Sequence, residues 1–294
     1  MRWVTLMGVA FMFLGAATCA QSEANTNGPD RKACAALAGA GKHPWSVNSA
    51  EFVHPPFTVT IEGGHDTGKT VTVSVPFCRI TGMVKPTRES DIRFEVWLPP
   101  RADWNGKFEG VGSGASLGNI QYRSLMRGVM RGYATAATDN GHQSGDDPFD
   151  MSWALGEPPR IVDFGYRAEH TATLAGKALT RRFYGRPPQH SYFVGCSQGG
   201  HHAFMEAERF PEDYDGIVAG APAYSWTGEM TGQAWNAHAL SQTSEGALPP
   251  QKLQLLYQAV TKSCAGADGL IDDPRQCSFD PAAIECKVMT RARV

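Results

Sequence analysis

The feature that most constrains this chain is the stretch YFVGCSQGGHHAF at residues 192–204. An apolar run typical of a buried strand ends in Gly195-x-Ser197-x-Gly199, and a helical pattern follows at once. A serine flanked by glycines at a strand-to-helix turn is the pattern of a nucleophile elbow, in which a strained turn lifts the hydroxyl clear of the sheet. Glycines suit these positions because side chains would collide with the strand and the helix. The same pentapeptide in an ordinary turn is the alternative, and the strand and helix around it disfavour that reading.

A serine of this kind needs donors for the oxyanion that forms when it attacks a carbonyl group. The backbone N–H of Gln198, at the start of the following helix, is the first candidate. The second should come from the loop after an earlier strand, and the glycine-rich GVGSGASLG at 110–118 has that position. We expect Gly114 to supply it. A phosphate loop or a plain flexible turn would also be rich in glycine, but the segment lacks the G-K-[ST] of a phosphate loop.

The histidine and the carboxylate that would activate Ser197 are harder to find. On folds with such an elbow the acid and the histidine follow the serine along the chain, and only His201, His202 and His238 do so here. The first two lie in the elbow helix, too close to turn back onto the hydroxyl, and His238 follows no strand. The sequence therefore predicts that this chain is the N-terminal part of a longer enzyme. Upstream, His142 lies at a strand end, where it could contact substrate or hydrogen-bond within its loop.

The remaining pattern alternates strands with helices, which predicts an α/β sheet. Strands are predicted at 57–61, 70–78, 92–99, near 107–111, 132–139, 191–195 and 216–223, and helices at 163–185 and after Ser197. After Ala223 no strand-like run occurs. An amphipathic helix is predicted at 251–264, and the rest of that region is predicted to be loop.

The N-terminus predicts export. Arg2 precedes a short apolar run, and small residues before position 21 offer a cleavage site, so residues 1–20 are predicted to be a signal peptide. An uncleaved anchor and a lipid-modified Cys19 are the alternatives. Residues 21–33 are predicted to be a flexible lead-in. The net charge of −2, with no basic run, argues against nucleic acid or an anionic membrane surface as a partner.

Export would place six further cysteines in a compartment where disulfides persist. None lies in a C-x-x-C pair, so disulfides are favoured over a structural zinc site. Cys196 stands directly before Ser197. We expect it to point into the protein beneath the turn, in a structural or disulfide role rather than as the nucleophile.

Several long segments resemble the tannase and feruloyl esterase family, which includes a mono(2-hydroxyethyl) terephthalate hydrolase. They are WLPPRADWNGKFEGVGSGASLGNI, ATDNGHQSG, FGYRAEHTATLAGKALTRRFYGRPPQHSYFVGCSQGG and its continuation to GIVAGAPA. The similarity runs from about residue 31 to 287. Members are exported serine esterases with an α/β-hydrolase core and a large inserted lid. The resemblance implies such a core at 34–223, with an incomplete sheet, and the truncated beginning of a lid at 224–294.

The resemblance also implies roles for single residues. Ser197 would be the nucleophile, and Cys196 would form a disulfide with a cysteine beyond the chain end that precedes the catalytic histidine. The other implied partners are Cys34 with Cys78, Cys264 with Cys277, and Cys286 with a downstream cysteine.

The segment at 264–277 resembles the family's calcium loop. Asp268 and the carbonyl of Leu270 match its later ligands, whereas its earlier aspartates have no counterpart here. Because calcium takes six to eight oxygen ligands, a disulfide-closed loop without metal is the alternative to a structural calcium site.

The implied function is that of a secreted or periplasmic serine esterase. It would cleave small-molecule galloyl or hydroxycinnamoyl esters through an acyl-enzyme on Ser197, with no cofactor for the chemistry, no nucleic acid and no membrane after signal removal. The triad aspartate and histidine would lie beyond the chain end. The alternative is a catalytically inactive N-terminal fragment or a module that only binds an aromatic ester.

Overall fold

The computed structural model of the chain describes residues 28–41, 44–242, 246 and 248–285. The predicted signal peptide at 1–20, Cys19 and Cys286 lie outside these ranges. The chain divides into two compact units, the first ending at Tyr224 and the second beginning at Ser225. In the described ranges no helix is both long enough and apolar enough to cross a membrane.

The first unit has six successive strands in its first half, and strands alternate with helices in its second half. Its strands are β1 (Trp45–Val53), β2 (Phe57–Thr60), β3 (Thr70–Val73), β4 (Phe77–Val84), β5 (Ile92–Leu98), β6 (Lys107–Val111), β7 (Ala134–Thr138), β8 (His190–Cys196) and β9 (Gly216–Gly220). Its helices are α1 (Pro29–Ala35), α2 (Tyr122–Met130), α3 (Pro158–Val162), α4 (Ala168–Tyr184) and α5 (Gln198–Arg209). A 3-10 turn lies at Ser152–Ala154, and a π-helical turn, Asp163–Arg167, joins α3 to α4.

Seven strands form one mixed sheet in the order β1-β4-β5-β7-β6-β8-β9, and β2 pairs with β3 in a separate hairpin. The strands from β1 to β7 in this order are antiparallel, whereas β7, β6, β8 and β9 are parallel. The predicted α/β class is confirmed. Because β6 and β8 are parallel neighbours, with Val111 opposite Val194, their carboxyl ends bring the glycine-rich loop beside the elbow.

Helices cover both faces of this sheet. Helices α1, α4 and α5 pack on the face that carries the fully buried Phe108 and Phe193, while α2 and the hairpin pack on the other. All five residues of β7, the sequence ATAAT, are buried. They are small because α4 lies close: a Cβ at Gly176 would be 3.0 Å from the Phe108 ring and 3.2 Å from the Ala136 Cβ. Each buried phenylalanine contributes about 2 kcal/mol to stability.

The N-terminal region differs from its prediction. Residues 29–33 were expected in a flexible lead-in but form the first part of α1, which begins at Pro29, a residue suited to the first helical turn. The Cys34–Cys78 disulfide ties this helix to β4, and both cysteines are fully buried. Strand β1 was not predicted because it is a sheet edge in which only two of nine residues are buried, so apolar alternation is weak. The predicted strand at 70–78 is two strands interrupted near Pro76, which lacks the N–H of a sheet residue.

The second unit contains α6 (Trp226–Ser241), α7 (Pro250–Cys264) and 3-10 turns at Pro274–Gln276 and Pro281–Ile284. Helix α7 confirms the predicted amphipathic helix. The prediction of loop for the rest of this region is wrong for α6, whose apolar residues are spread around the helix and give no one-sided pattern. A disulfide joins Cys264 to Cys277. This pair and Cys34–Cys78 are the pairings that the family resemblance implies.

Candidate active site

Ser197 occupies a strained turn between β8 and α5. Its backbone has φ 61° and ψ −117°, a region that L residues rarely adopt, and the residue is exposed. Hydrogen bonds on both sides hold the turn. The Ser197 N–H donates to the Gly220 carbonyl at 3.0 Å, and its carbonyl accepts from the N–H groups of His201 and Ala223, each at 3.1 Å. These hydrogen bonds hold the Ser197 backbone in its strained conformation, with the residue exposed at the end of the sheet.

The glycines around the serine are required by close backbone packing. A Cβ at Gly195 would lie 2.1 Å from the carbonyl oxygen of Gly199, and one at Gly199 would lie 2.8 Å from that of Ser113. A Cβ at Gly200 would lie 2.6 Å from the Pro222 Cα. These contacts are shorter than a real side chain permits, so even alanine does not fit. The reading of G-x-S-x-G as a steric requirement therefore agrees with the structure.

The glycine-rich loop lies directly against the elbow. The N–H of Gly199, the second residue of α5, donates to the Ser113 carbonyl at 2.7 Å. The residue directly before Gly114 therefore contacts the first turn of this helix. Among the described residues, no acceptor is found for the N–H groups of Gln198 and Gly114. Gln198 is the first residue of α5, where the helix dipole favours negative charge. The N–H of Gln198 directly follows Ser197, and that of Gly114 lies in the loop that contacts the first turn of α5. These two N–H groups are the candidate donors to an oxyanion.

The loop after β7 holds the glycine-rich loop in place through side-chain hydrogen bonds, a role that the sequence did not predict. Asn140 is fully buried, has φ 59°, and donates from Nδ2 to the Ser113 hydroxyl at 2.6 Å and to the Leu117 carbonyl at 3.0 Å. Asparagine tolerates a positive φ better than most residues. The sequence Asn-Gly after a buried strand was the available signal.

Asp139 fixes the start of the same loop. Its Oδ1 accepts from the N–H groups of Arg93 and Gly141 at 2.9 and 3.0 Å, and its Oδ2 accepts from the Gln143 amide at 2.6 Å. Burial raises the pKa of Asp139 to about 7, against the lowering effect of these hydrogen bonds. The carboxyl group is 2 % exposed and acts within the loop.

His142 is buried rather than open to substrate. It is 2 % exposed, its Nε2 lies 2.8 Å from the Ser116 carbonyl, and its ring stacks on Trp153 with centroids 3.9 Å apart. Burial lowers its pKa, which favours the neutral ring. Of the two roles that the sequence left open, the hydrogen bond within the loops is the one seen in the structure.

His201 and His202 hold the π-helical turn. Their Nε2 atoms lie 3.1 Å from the carbonyls of Gly165 and Phe164, respectively. Such turns free carbonyl groups from the helical pattern, and the two imidazoles bind them. Burial lowers the pKa of His201. No histidine in the described ranges hydrogen-bonds the Ser197 hydroxyl. The roles of Ser197, Gln198 and Gly114 stay predictions.

Cys196 differs from its expectation. It does not point beneath the turn but is exposed, with a free thiol. Alternation along β8 places Val194 and Cys196 on the same side, and both are exposed. The thiol stands at the end of the strand, beside Gly220 of the neighbouring β9. Its disulfide to a cysteine outside these residues stays a prediction.

The loop at 264–277 does not fit a calcium site. The Leu270 carbonyl accepts from the Gly266 N–H at 2.8 Å, and Asp268 Oδ1 accepts from the Leu270 N–H at 3.0 Å. The two candidate ligands thus stabilise the loop itself, and calcium needs about six to eight oxygens. The Cys264–Cys277 disulfide closes the loop.

Comparison with known proteins finds a matching family model and similar curated proteins. The sequence model of the family described as "Tannase and feruloyl esterase" matches residues 78–293. The chain is 39% identical over 259 residues to an uncharacterised esterase of Xanthomonas campestris pv. campestris, covering 86% of this chain and 43% of that protein. It is 35% identical over 223 residues to a probable feruloyl esterase B-2 of Aspergillus flavus, covering 73% of this chain and 41% of that protein.

Solved structures include a similar protein. The crystal structure of feruloyl esterase B from Aspergillus oryzae superposes with a TM-score of 0.74 at 28% identity, covering 88% of this chain and 52% of that one. The chain therefore spans about half the length of these relatives, or less.

Proposed function

Because the chain belongs to the tannase and feruloyl esterase family, we propose that it carries the nucleophile and the oxyanion hole of a serine carboxylic ester hydrolase. The observation that carries this proposal is the geometry of Ser197. It has a positive φ and an exposed side chain, and the N–H of Gln198 directly follows it. A turn of this kind is strained, and strain retained in a tightly packed backbone is typical of functional positions.

The reaction follows from this arrangement. Ser197 Oγ attacks the ester carbonyl and forms a C–O bond, while its proton passes to a histidine. The N–H groups of Gln198 and Gly114 stabilise the oxyanion, each by roughly 3 kcal/mol if they resemble measured donors. The intermediate then expels the alcohol, which takes the proton from the imidazolium. Water, deprotonated by the same histidine, releases the acid from the acyl-enzyme and restores Ser197.

The histidine and its acid are supplied, in this proposal, by a segment outside these 294 residues. The described histidines that flank the elbow, His201 and His202, are engaged with the π-helical turn. Curated relatives are more than twice as long as the matched region. The exposed Cys196, next to the nucleophile, is then the attachment point of a disulfide that fixes the histidine loop.

The substrate class is an ester of an aromatic acid, galloyl or hydroxycinnamoyl. The proposal rests on the family, one member of which is named a feruloyl esterase and has 28% identity to this chain.

The location that we propose is outside the cytosol, secreted or periplasmic, because the two disulfides persist in oxidising compartments. The chemistry requires no cofactor. In this proposal residues 224–294 are the truncated beginning of a lid, and the second compact unit, which begins at Ser225, supports it.

The test compares the product of the complete open reading frame with its Ser197→Ala variant, using methyl ferulate and methyl gallate. We expect kcat/KM to fall by roughly 10⁴-fold or more, as when a triad serine is removed elsewhere. Ser241→Ala is the matched control, since this exposed hydroxyl only bonds the His238 carbonyl. The 294-residue chain alone should show no Ser197-dependent turnover.

Two results would contradict the proposal. Full activity in Ser197→Ala would exclude this serine as the nucleophile. Turnover by the chain alone that is lost in Ser197→Ala would show that a base lies within it. If the complete product binds the esters without cleaving them, it is a binding module instead.

A further inference from the structure

A second group of functional side chains lies at the far end of the elbow helix. Glu206 is eight residues beyond Gln198 in α5, about 12 Å along the helix axis. Asp213, from the turn before β9, and His170, from α4, meet it there. From this geometry we infer that His170, Glu206 and Asp213 form a binding site for a divalent first-row transition-metal ion, of the class of Zn²⁺.

The ligand atoms are close enough to share one ion. One ligand atom from each of the three side chains lies within 4.8 Å of the other two. His170 Nδ1 and Asp213 Oδ2 hydrogen-bond each other at 2.6 Å and would separate to roughly 3.4 Å around a tetrahedral ion. An imidazole with two carboxylates is a donor set that suits zinc, at about 2.0–2.2 Å from each ligand atom. In the described part of the chain this is the one cluster of three such side chains.

The state of Glu206 is the independent observation. Glu206 is fully buried beside the carboxylates of Glu169 and Asp213, and among the described residues no N–H or alcohol O–H group donates to it. It can hydrogen-bond Asp213 only when the two acidic groups share a proton. A buried carboxylate beside other carboxylates is destabilised by desolvation and by like-charge repulsion. The nearby ammonium group of Lys177 donates to the Asp213 backbone carbonyl rather than to this carboxylate. A cation held jointly with Asp213 and His170 would offset the repulsion among these carboxylates and replace the shared proton.

The surroundings also favour a bound ion. The His170 side chain is 25% exposed, which gives an entry path from solvent, whereas Asp213 is 6 % exposed. The imidazole ring stacks on Phe210 with centroids 3.7 Å apart, which fixes its orientation. Such an ion would tie α4 to the connection between α5 and β9. Its role would be to stabilise the elbow helix, because it lies away from the Ser197 hydroxyl.

The experiment uses the product of the complete open reading frame, without an affinity tag, with free thiols alkylated and metals removed by a chelator. Zn²⁺ is then titrated and counted by elemental analysis. We expect the wild type to hold one more Zn²⁺ per chain than Glu206→Gln or His170→Gln, with at least about 30-fold weaker binding at this site in either variant. At a hundredfold excess over the wild-type Kd, Tm should rise by about 5 °C in the wild type and by less than about 2 °C in either ligand variant.

His190→Gln is the matched control. This exposed histidine also faces an aspartate, with His190 Nδ1 4.0 Å from Asp215 Oδ2, but has no third ligand. It should bind Zn²⁺ as the wild type does. The inference is overturned if the wild type gains no ion, as it would if Glu206 simply held a proton, or if the two ligand variants bind as tightly as the control. Cooperative melting of Glu206→Gln and His170→Gln shows that each is folded, and either one alone decides the question.

Discussion

Helices α5 and α6 have similar lengths but are stabilised in opposite ways. Six of the 12 residues of α5 are buried, whereas none of the 16 residues of α6 is, and Trp235 in α6 is 74 % exposed. Every glycine of α5 meets backbone that leaves no room for a Cβ, while Gly232 of α6 has nothing within 4 Å. Tertiary packing thus determines where α5 begins and how its first turn is strained. Local propensity determines α6, so equal substitutions in the two regions should have different effects.

The sharpest test of this difference is the addition of one methyl group. Gly200→Ala in α5 places a Cβ 2.6 Å from the Pro222 Cα, and the first turn of the helix cannot relax without losing the elbow. We expect a loss of more than about 4 kcal/mol in unfolding free energy. Gly232→Ala in α6 should instead stabilise by about 0.5–1 kcal/mol, because alanine is the better helix former. Chemical denaturation of both variants measures the contrast, and similar effects would contradict it.

The two disulfides provide the next comparison. Cys34–Cys78 joins fully buried residues 44 positions apart, and Cys264–Cys277 joins residues only 13 apart. Replacing the first pair by alanines should cost about 4 kcal/mol of unfolding free energy, and the second about 3 kcal/mol at most, because a longer closed loop restricts the unfolded chain more. Chemical denaturation of each double variant measures the two changes. A larger effect from the second pair would contradict the dependence on loop length.

A smaller effect is expected from the buried carboxyl group of Asp139. Its pKa is raised to about 7 in the folded chain, so between about pH 4 and pH 7 the folded state binds more protons than the unfolded one. Unfolding free energy should therefore fall as pH rises through this window, by roughly 2 kcal/mol from pH 5 to pH 7. Asp139→Asn should flatten that slope, measured as denaturation midpoints across pH. An unchanged slope would mean that the hydrogen bonds from Arg93, Gly141 and Gln143 keep the carboxylate charged.

The sequence predicted what depends on local steric rules. Gly195 and Gly199 predicted the turn around Ser197, and buried apolar runs predicted the central strands. Helix α6 and strand β1 were missed because neither buries one continuous face. Their apolar residues therefore show neither the helical nor the strand periodicity. The lead-in at 29–33 was misjudged because its helix depends on the Cys34–Cys78 bond, a contact far along the chain.

The candidate site was predictable only in part. Ser197, Gln198 and Gly114 follow from motif and chain order, since the carboxyl ends of parallel strands meet at one edge. Asn140, which braces the glycine-rich loop, depends on a side-chain contact across that edge. Whether Cys196 is buried or exposed depends on which face of β8 is covered by other elements. The sequence of β8 alone does not show which face that is.

The central claim is that Ser197 forms the acyl-enzyme, and the most direct measurement locates the acyl group. The product of the complete open reading frame is mixed with p-nitrophenyl ferulate, quenched with acid during turnover, digested, and analysed by mass spectrometry. We expect a mass increase equal to one feruloyl group on the peptide that carries Ser197, and none in Ser197→Ala. An acyl group on any other residue, or turnover with Ser197 unmodified throughout, would contradict the account.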